Sequence, residues 1–491
     1  MTRRWGWHSF AFITAPLAVV GVWTGASCYG LSTLLVVAGA VLGLVACRSD
    51  ARRIVLVVAA LVFVIGQWRG HTEWSVRTIV TPEPYSGIGT LVNDPDPTGR
   101  GTKLVIEVEG RRVEGFVYGR LARRVENSLA GERLRLEGSL RPVEESRRRR
   151  ALVRHVVGRI ELESLTTIRP AAKDRIAQAV NRVRRLLEHG TRPMSDADRS
   201  VVGGLLYGDD RRLSESVVGD FRRSGLAHLS AVSGQNVAFL LAALSPLLTR
   251  QSRLARTGTV AVVLTTFVLL TRAEPSVIRA SLMAAIAVST RTWGLPITSA
   301  SALGAATTIG VLIDPMLVWS IGWWMSIAGC VGLVVVAPLV GGRNHKSWLR
   351  ELLVTTVSAH VAVMPVSASV FGWPSAWSIP ANLLAVPVAG LVMLLGLPAV
   401  VLAGVLPESL ARPLCWPVAI GGRWVSGVAR VFAALPSTKT IDGVVDIALL
   451  VVVIGAVGIR LTSHPYGNLP AWESSSSTAP TKSSSPKKSS G

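Results

Sequence analysis

Apolar runs long enough to cross a bilayer open the chain at roughly 8–27, 30–47 and 53–68, and apolar segments follow one another again from 226 to 461 with short connections. Residues 69–170 break the pattern. They are polar and basic, and their hydrophobic positions recur every second residue. Leu104, Ile106 and Val108 predict a strand with one buried face, as do Val113 with Phe116 and Tyr118, Leu134 with Leu136, and Val157 with Ile160 and Leu162. Asn93 to Gly99 is a turn cluster. About five short strands in so short a stretch predict a small barrel of the OB type, and GERLRLEGSL (131–140) reads as one of its strands.

Residues 171–225 carry a helical period without the length to span: Ile176, Val180, Val183 and Leu187 recur among Arg, Lys and Glu. Ser195 is the expected N-cap of the helix entering GGLLYGDD (203–210), Ser214 that of the next, and Gly225 its C-terminal stop. The expected fold is a polytopic α-helical membrane protein of about twelve transmembrane helices with an inserted OB-like β-barrel. The expected divisions are 1–68, N-terminal transmembrane helices; 69–170, an extracytoplasmic β domain; 171–225, amphipathic helices; 226–461, a second transmembrane domain; and 462–491, a disordered Ser/Pro/Lys tail.

Composition agrees with a membrane protein: 49% of the 491 residues are hydrophobic, with a mean hydropathy of +0.44. The charge is less expected. Lys and Arg outnumber Asp and Glu by 52 to 30, a net +22. Cytoplasmic loops rich in Lys and Arg give one reading; a polyanionic partner, nucleic acid or anionic lipid, gives the other. Arg3 and Arg4 place the N-terminus inside, which puts the barrel outside. The loops with Arg250, Arg253 and Arg256 and with Arg343, Lys346 and Arg350 then fall inside, with the Lys487–Lys488 tail, and Asp442 and Asp446 fall outside. A re-entrant pair at 377–407, where Pro387 and Pro398 interrupt the run, would change that parity.

The positive-inside rule gives an external barrel no reason to carry Arg111, Arg112, Arg120, Arg123, Arg124, Arg133, Arg135 and Arg147 to Arg150. Single-strand binding is one explanation, with Arg111, Arg112, Arg133 and Arg135 on phosphates and Phe116 and Tyr118 under bases; a solvated or headgroup-facing surface is the other. Cys28, Cys47, Cys330 and Cys415 form no CxxC or Cys/His cluster, so neither a metal site nor a disulfide framework is indicated.

Residues 221–239, FRRSGLAHLSAVSGQNVAF, concentrate polarity inside an apolar block. His228, Ser230, Ser233 and Asn236 either line a polar pathway or let helices pack closely. A Ser/His hydrolase centred on Ser233 lacks the GxSxG elbow. Asp209 and Asp210 have the make-up of a Mg²⁺ pair or of a turn neutralised by Arg211 and Arg212. Ser276 and Arg279 follow Pro275 at a helix start, where Arg279 either snorkels outward or meets phosphate in a wet channel. Trp323-Trp324 and His360 read as helix residues, a lone membrane histidine being most often a packing residue. Asn382 opens a proline-broken stretch of the kind that lines cavities. No Walker A, HxHxDH or HExxH motif occurs, so no ATPase, nuclease or protease, no cofactor and no metal is expected.

Taken together, GGLLYGD (203–209), FRRSGLAHLSAVSGQNVAF (221–239), EPSVIRASLMA (274–284), IDPMLVWSIGWWMSIAG (313–329) and PANLLAVPVAGLVMLLGLPA (380–399) resemble the ComEC competence family in order and spacing, over roughly residues 30–461. The resemblance implies a channel for single-stranded DNA across the cytoplasmic membrane in natural transformation. It implies a ComEA-type DNA receptor, a separate nuclease and a cytoplasmic motor as partners, and leaves a homo-oligomer open. Gly208, Asp209, His228, Ser230, Ser233, Gly234, Ser276, Arg279 and Asn382 fall on matching positions. Three departures stand out. Asn236 lies where many members have histidine, Trp323-Trp324 replace a more usual Phe-containing pair, and a Ser/Lys tail stands where many members carry a metallo-β-lactamase-like domain. That last departure supports a rival expectation: a transporter or lipid-handling protein derived from the ComEC core without DNA uptake.

Overall fold

The computed structural model describes residues 7–27, 36, 38, 50–75, 82–99, 101–172, 174–230, 233–295, 297–341, 347–436 and 439–463. The apolar run at 30–47 lies almost wholly outside the described residues, and so does the tail beyond 463.

Two helices, α1 (Trp7–Ser27) and α2 (Asp50–Trp74), pack closely side by side and run in the same direction. Their backbones touch along glycines. A Cβ at Gly21, Gly25 or Gly70 would collide with the backbone of Phe63, Gln67 or Val22, which is how small residues let apolar helices associate without a hydrophobic driving force.

The barrel follows: β1 (Glu83–Leu91), β2 (Asp96–Thr98), β3 (Gly101–Val108), β4 (Arg111–Val117), α3 (Gly119–Val125), β5 (Glu132–Arg141), α4 (Glu145–Leu152) and β6 (Val156–Ala172). The strand order is β1-β5-β6-β4-β3-β2, and an additional β1–β3 pairing closes the sheet. β4 and β6 run parallel, while the other pairs are antiparallel. A five-strand closure with a helix before the fourth long strand is the OB arrangement the alternation predicts. Leu104, Ile106, Val113, Leu134, Leu136, Ile160 and Leu165 fill it, each contributing about 1.5–3 kcal/mol relative to exposure. One expectation changes. Val113 points inward, whereas Phe116 lies on the outer face opposite Lys103, and Tyr118 falls beyond the end of β4. Phe116 is three positions from Val113, an odd offset that reverses the face.

Three short helices connect barrel and bundle: α5 (Arg175–Gly190), α6 (Asp196–Tyr207) and α7 (Glu215–Arg223). The caps are those the sequence marks. Ser195 Oγ accepts the Asp198 N–H at 3.2 Å and Ser214 Oγ the Val217 N–H at 3.4 Å. Gly225 stops α7 at φ 75° while the Leu226 N–H returns to the Phe221 carbonyl at 2.8 Å.

The bundle comprises α8 (Ala227–Ser230), α9 (Gly234–Thr249), α10 (Arg253–Leu270), α11 (Pro275–Thr292), α12 (Ser299–Ile313), α13 (Ile321–Gly341), α14 (Trp348–Val370), α15 (Ser378–Ala403), α16 (Glu408–Ala433) and α17 (Lys439–Ser463). Five described helices are long and apolar enough to cross a membrane: those starting in α2, α10, α13, α14 and α15. The stretches Ile13–Ala26, Gly234–Thr249 and Ser299–Ile313 are apolar but shorter. The expectation of about twelve spans is thus not reached among the described residues. Several segments counted as spans are short of a bilayer, and α16 carries Arg412, Arg423 and Arg430. The stretch 377–407 is one continuous helix rather than a re-entrant pair, with Pro387 and Pro398 inside it. Within α13 a π turn, Gly332–Val336, presses Gly332 against Ser358 of α14.

The barrel rests on one end of the bundle. His155 Nε2 lies 3.2 Å from Asp314, just past α12. Arg69, near the end of α2, donates to the Ile313 carbonyl at 2.8 Å.

Candidate functional site

The polar motif at 221–239 is folded around two turns rather than laid along one helix. α8 packs on α6, where a Cβ at Gly204 would press on the Ser230 carbonyl. Ser233 N-caps α9, accepting the Gln235 N–H at 3.3 Å and donating to Asn236 Oδ1 at 3.2 Å. Asn236 is buried and donates to the Leu205 carbonyl at 2.8 Å. Ser230 Oγ donates to the Ala227 carbonyl at 2.8 Å. Ser233 and Asn236 therefore join α9 to α6, and Ser230 is held by its own helix. His228 is exposed, three residues past Gly225.

Arg279 faces this turn from α11. It is 4% exposed, so it does not snorkel. Its Nε donates to Ser326 Oγ at 2.9 Å, and its Nη1 reaches Cys330 Sγ at 2.6 Å and Met283 Sδ at 3.1 Å. Its Nη2 lies where a Cβ on Gly234 would be, 2.8 Å away. Ser276, three residues earlier, turns its carbonyl to the same glycine at 3.6 Å. No carboxylate pairs with Arg279 among the described residues. Sulfur is a weak acceptor, so this guanidinium keeps most of its capacity for an oxyanion.

Asp209 belongs to a different arrangement. Arg211 grips it with two bonds, Nε to Oδ1 at 2.6 Å and Nη2 to Oδ2 at 2.8 Å. Arg211 also meets Glu188 at 3.1 Å. Arg184 lies 3.8 Å from Asp209 and 2.8 Å from Asp94, and Arg272 bonds Asp94 at 2.7 Å and Asn181 at 3.1 Å. Three cations meet three anions here, drawn from the barrel, α5, the turn after α6 and the end of α10. Burial alone would raise the Asp94 carboxyl; Arg184 and Arg272 outweigh it and hold it below the usual carboxylate range. Burial opposes Arg211 and Arg184 at Asp209 in the same way, with the same downward result. This is a neutral latch between barrel and bundle. The sequence showed Asp209 and Arg211 as neighbours, but Asp94, Arg184 and Arg272 are too far apart in the chain to be joined by spacing.

Beside the latch lies a cleft of about 850 Å³, lined by Arg124 of the barrel and Arg185, His189, Arg192, Arg199 and Arg212 of the connecting helices, with Glu132 and Glu188. The barrel candidates lie elsewhere. Arg111 and Arg112 are on β4, Arg133 and Arg135 on β5, and β6 separates the two strands. Phe116 has Lys103 and Arg159 each 6.0 Å from its ring centre, so cations already hold it. Tyr118, 59% exposed, is open to stack. Asn382 donates to the Ser378 carbonyl one turn back in α15, at 2.7 Å. Among the described residues no group of three His, Cys, Asp or Glu is placed to hold a metal ion.

A family model described as "Competence protein" matches residues 205–464. Over 213 residues the chain is 27% identical to ComE operon protein 3 of Bacillus subtilis (strain 168), which covers 43% of this chain and 27% of that protein. The chain therefore spans little more than a quarter of that curated relative. No solved structure matches.

Proposed function

The chain belongs to the competence-protein family, and on that premise we propose that it acts in DNA uptake, passing a single strand across the cytoplasmic membrane through its helical bundle. Arg279 is the observation that carries this reading: a buried guanidinium in an apolar bundle, held by a hydroxyl and two sulfurs and by no carboxylate among the described residues. An unpaired charge at membrane depth is costly and marks a substrate pathway. A phosphodiester supplies both the opposite charge and the paired oxygens a guanidinium fits. Because a phosphate chain cannot cross hydrocarbon dry, the route past Arg279 and His228 is wet.

The basic cleft supplies the step before. Its arginines sit between barrel and bundle, where a strand held on the barrel would pass next. The barrel rests at the end of α10 that carries Arg272, opposite Arg250, Arg253 and Arg256. Under the positive-inside rule this arrangement supports a barrel outside, and with it the reading that both termini lie inside. The chain itself breaks no bond in this scheme. Strand removal, capture and pulling fall to a separate nuclease, a ComEA-type receptor and a cytoplasmic motor.

The test is transformation by linear marked DNA in a competent host carrying Arg279→Ala. Uptake is lost while the protein's abundance in the membrane is unchanged, and Arg279→Lys, a point charge without the fork, restores part of it. Full uptake by Arg279→Ala would remove the residue from the pathway and direct the search to a small-molecule or lipid cargo.

A further inference from the structure

Three polar residues from three helices meet inside the bundle, outside every motif used so far. His360 lies near the middle of α14, Ser378 at the start of α15 and Asp446 in α17. Ser378 Oγ is 3.1 Å from His360 Nδ1, and His360 Nε2 is 2.8 Å from Asp446 Oδ1. Asp446 is 0% exposed and Ser378 3%. Asp446 Oδ2 is buried and has no hydrogen-bond partner.

The charges facing the array are few. On α17, Asp442 lies one turn away and accepts the Ala376 N–H at 3.0 Å; Lys439 begins that helix and Arg460 is near its end. On α14, Arg350 and Glu351 sit at the first turn, about 15 Å from His360 along the axis. The 371–377 connection, α15 and the 337–341 end of α13 carry no charged residue. Among the described residues Asp446 therefore has His360 and no arginine or lysine.

Asp446 is fully buried with one partner and a bare oxygen, and a buried polar atom left without a hydrogen bond is costly, so that oxygen has room for a donor. Asp446, expected in an outside loop, lies instead within α17 and is buried. We propose that Asp446, His360 and Ser378 form a buried proton-binding relay linked to the hinge at Gly225. In the deprotonated form His360 Nε2–H donates to Asp446, and Nδ1 accepts the Ser378 hydroxyl. One proton from water forms an O–H bond at Asp446 Oδ2 and takes the array from one negative charge to none; its departure reverses the step. Ser378, almost fully buried, admits no substrate carbonyl to its Oγ, so the array handles protons and not acyl groups.

The link to the hinge is steric. A Cβ at Gly225 would collide with the Ser378 side chain, and Gly225 holds φ 75° between α7 and the helix bearing His228. Ser378 is also the residue whose carbonyl Asn382 grips. A change of hydrogen bonding at Ser378 is thus felt where the polar motif begins. This coupling rests on the uptake reading; the protonation itself does not.

The experiment uses the full chain in phosphatidylcholine–phosphatidylglycerol vesicles. Infrared difference spectra across a pH titration show a carboxylic C=O band that rises on acidification. It disappears in Asp446→Asn, persists in Asp442→Asn, and titrates at a shifted midpoint in His360→Gln. No titrating band, or one that Asp446→Asn leaves intact, overturns the relay. In a second arm, run in the competent host that supplies nuclease, receptor and motor, an inward proton gradient raises entry of fluorescent single-stranded DNA, and Asp446→Asn loses the response to the gradient. Gradient-independent entry in the wild type, with the band present, overturns the coupling. No entry under any condition, with the band present, counts against the uptake reading and leaves the protonation site standing.

Discussion

Two buried arginine sites in this molecule follow opposite rules. At the junction of barrel and bundle, Arg184, Arg211 and Arg272 share Asp94, Asp209 and Glu188, and every guanidinium has a carboxylate within 3.1 Å. In the bundle, Arg279 is as buried and has none among the described residues. A closed site holds structure together and has no charge left for a ligand. An open one costs the fold and is explained by something that arrives. Burial does not separate the two, and the identity of the acceptors does.

The comparison is broken most directly by removing one carboxylate. Asp94→Asn takes the carboxylate from Arg272 and leaves Arg184 only Asp209 at 3.8 Å, which costs about 3–5 kcal/mol for a buried pair. Chemical denaturation of the detergent-solubilised chain shows the loss, and protease cuts appear between barrel and bundle. The matching change in the bundle, Arg279→Met, leaves the denaturation midpoint unchanged or raises it, since it removes a charge without stranding another. If Asp94→Asn is silent, or Arg279→Met is the damaging one, the contrast is wrong.

Acid separates the two sites next. Asp94 and Asp209 are held below the ordinary carboxylate range. A depressed carboxyl contributes stability that is fully present above its unfolded value of about 3.9, and loses it as pH falls through the lower folded value. The latch therefore opens below about pH 4, read as protease sensitivity of the 91–101 and 208–214 turns. Arg279, with no carboxylate partner among the described residues, adds nothing to that transition. A latch that stays closed far below this range would mean the carboxylates are not its main hold.

The barrel, the caps and the connecting helices were legible because local rules decide them. Strand alternation marks Leu104 to Val108, and Ser195, Ser214 and Gly225 stand where hydrogen-bonding side chains or a positive φ are needed. Spans were less legible. Hydropathy counts an apolar stretch without measuring how far its helix runs, and α9 and α12 are apolar but shorter than the five long spans. The candidate site divided along the same line. Arg279 and Asn382 were visible as polar residues in apolar runs. Asp209 was visible too, but its partners Arg184 and Arg272 come from distant elements. The His360 array was missed for a related reason: Ser378 and Asp446 lie 18 and 86 residues from it, and no period links them.

The smallest expected effect extends the comparison to the cleft. Arg192 and Arg212 are exposed on its wall, and among the described residues no ion pair holds either. By the rule drawn from Arg279, such arginines are available to phosphate. Each contact to a single strand then contributes about 0.7 to the slope of log affinity against log salt. Binding of fluorescent oligothymidylate to the full chain in detergent, measured over a salt series, gives that slope. Arg192→Ala and Arg212→Ala each lower it by about that amount without changing stability. Arg211→Ala, one position from Arg212 but inside the latch, lowers stability and leaves the slope of the folded fraction as it was. Two neighbouring arginines with opposite readouts would show that the division between holding and binding runs residue by residue. If both lower the slope alike, the latch is part of the DNA surface and the division fails.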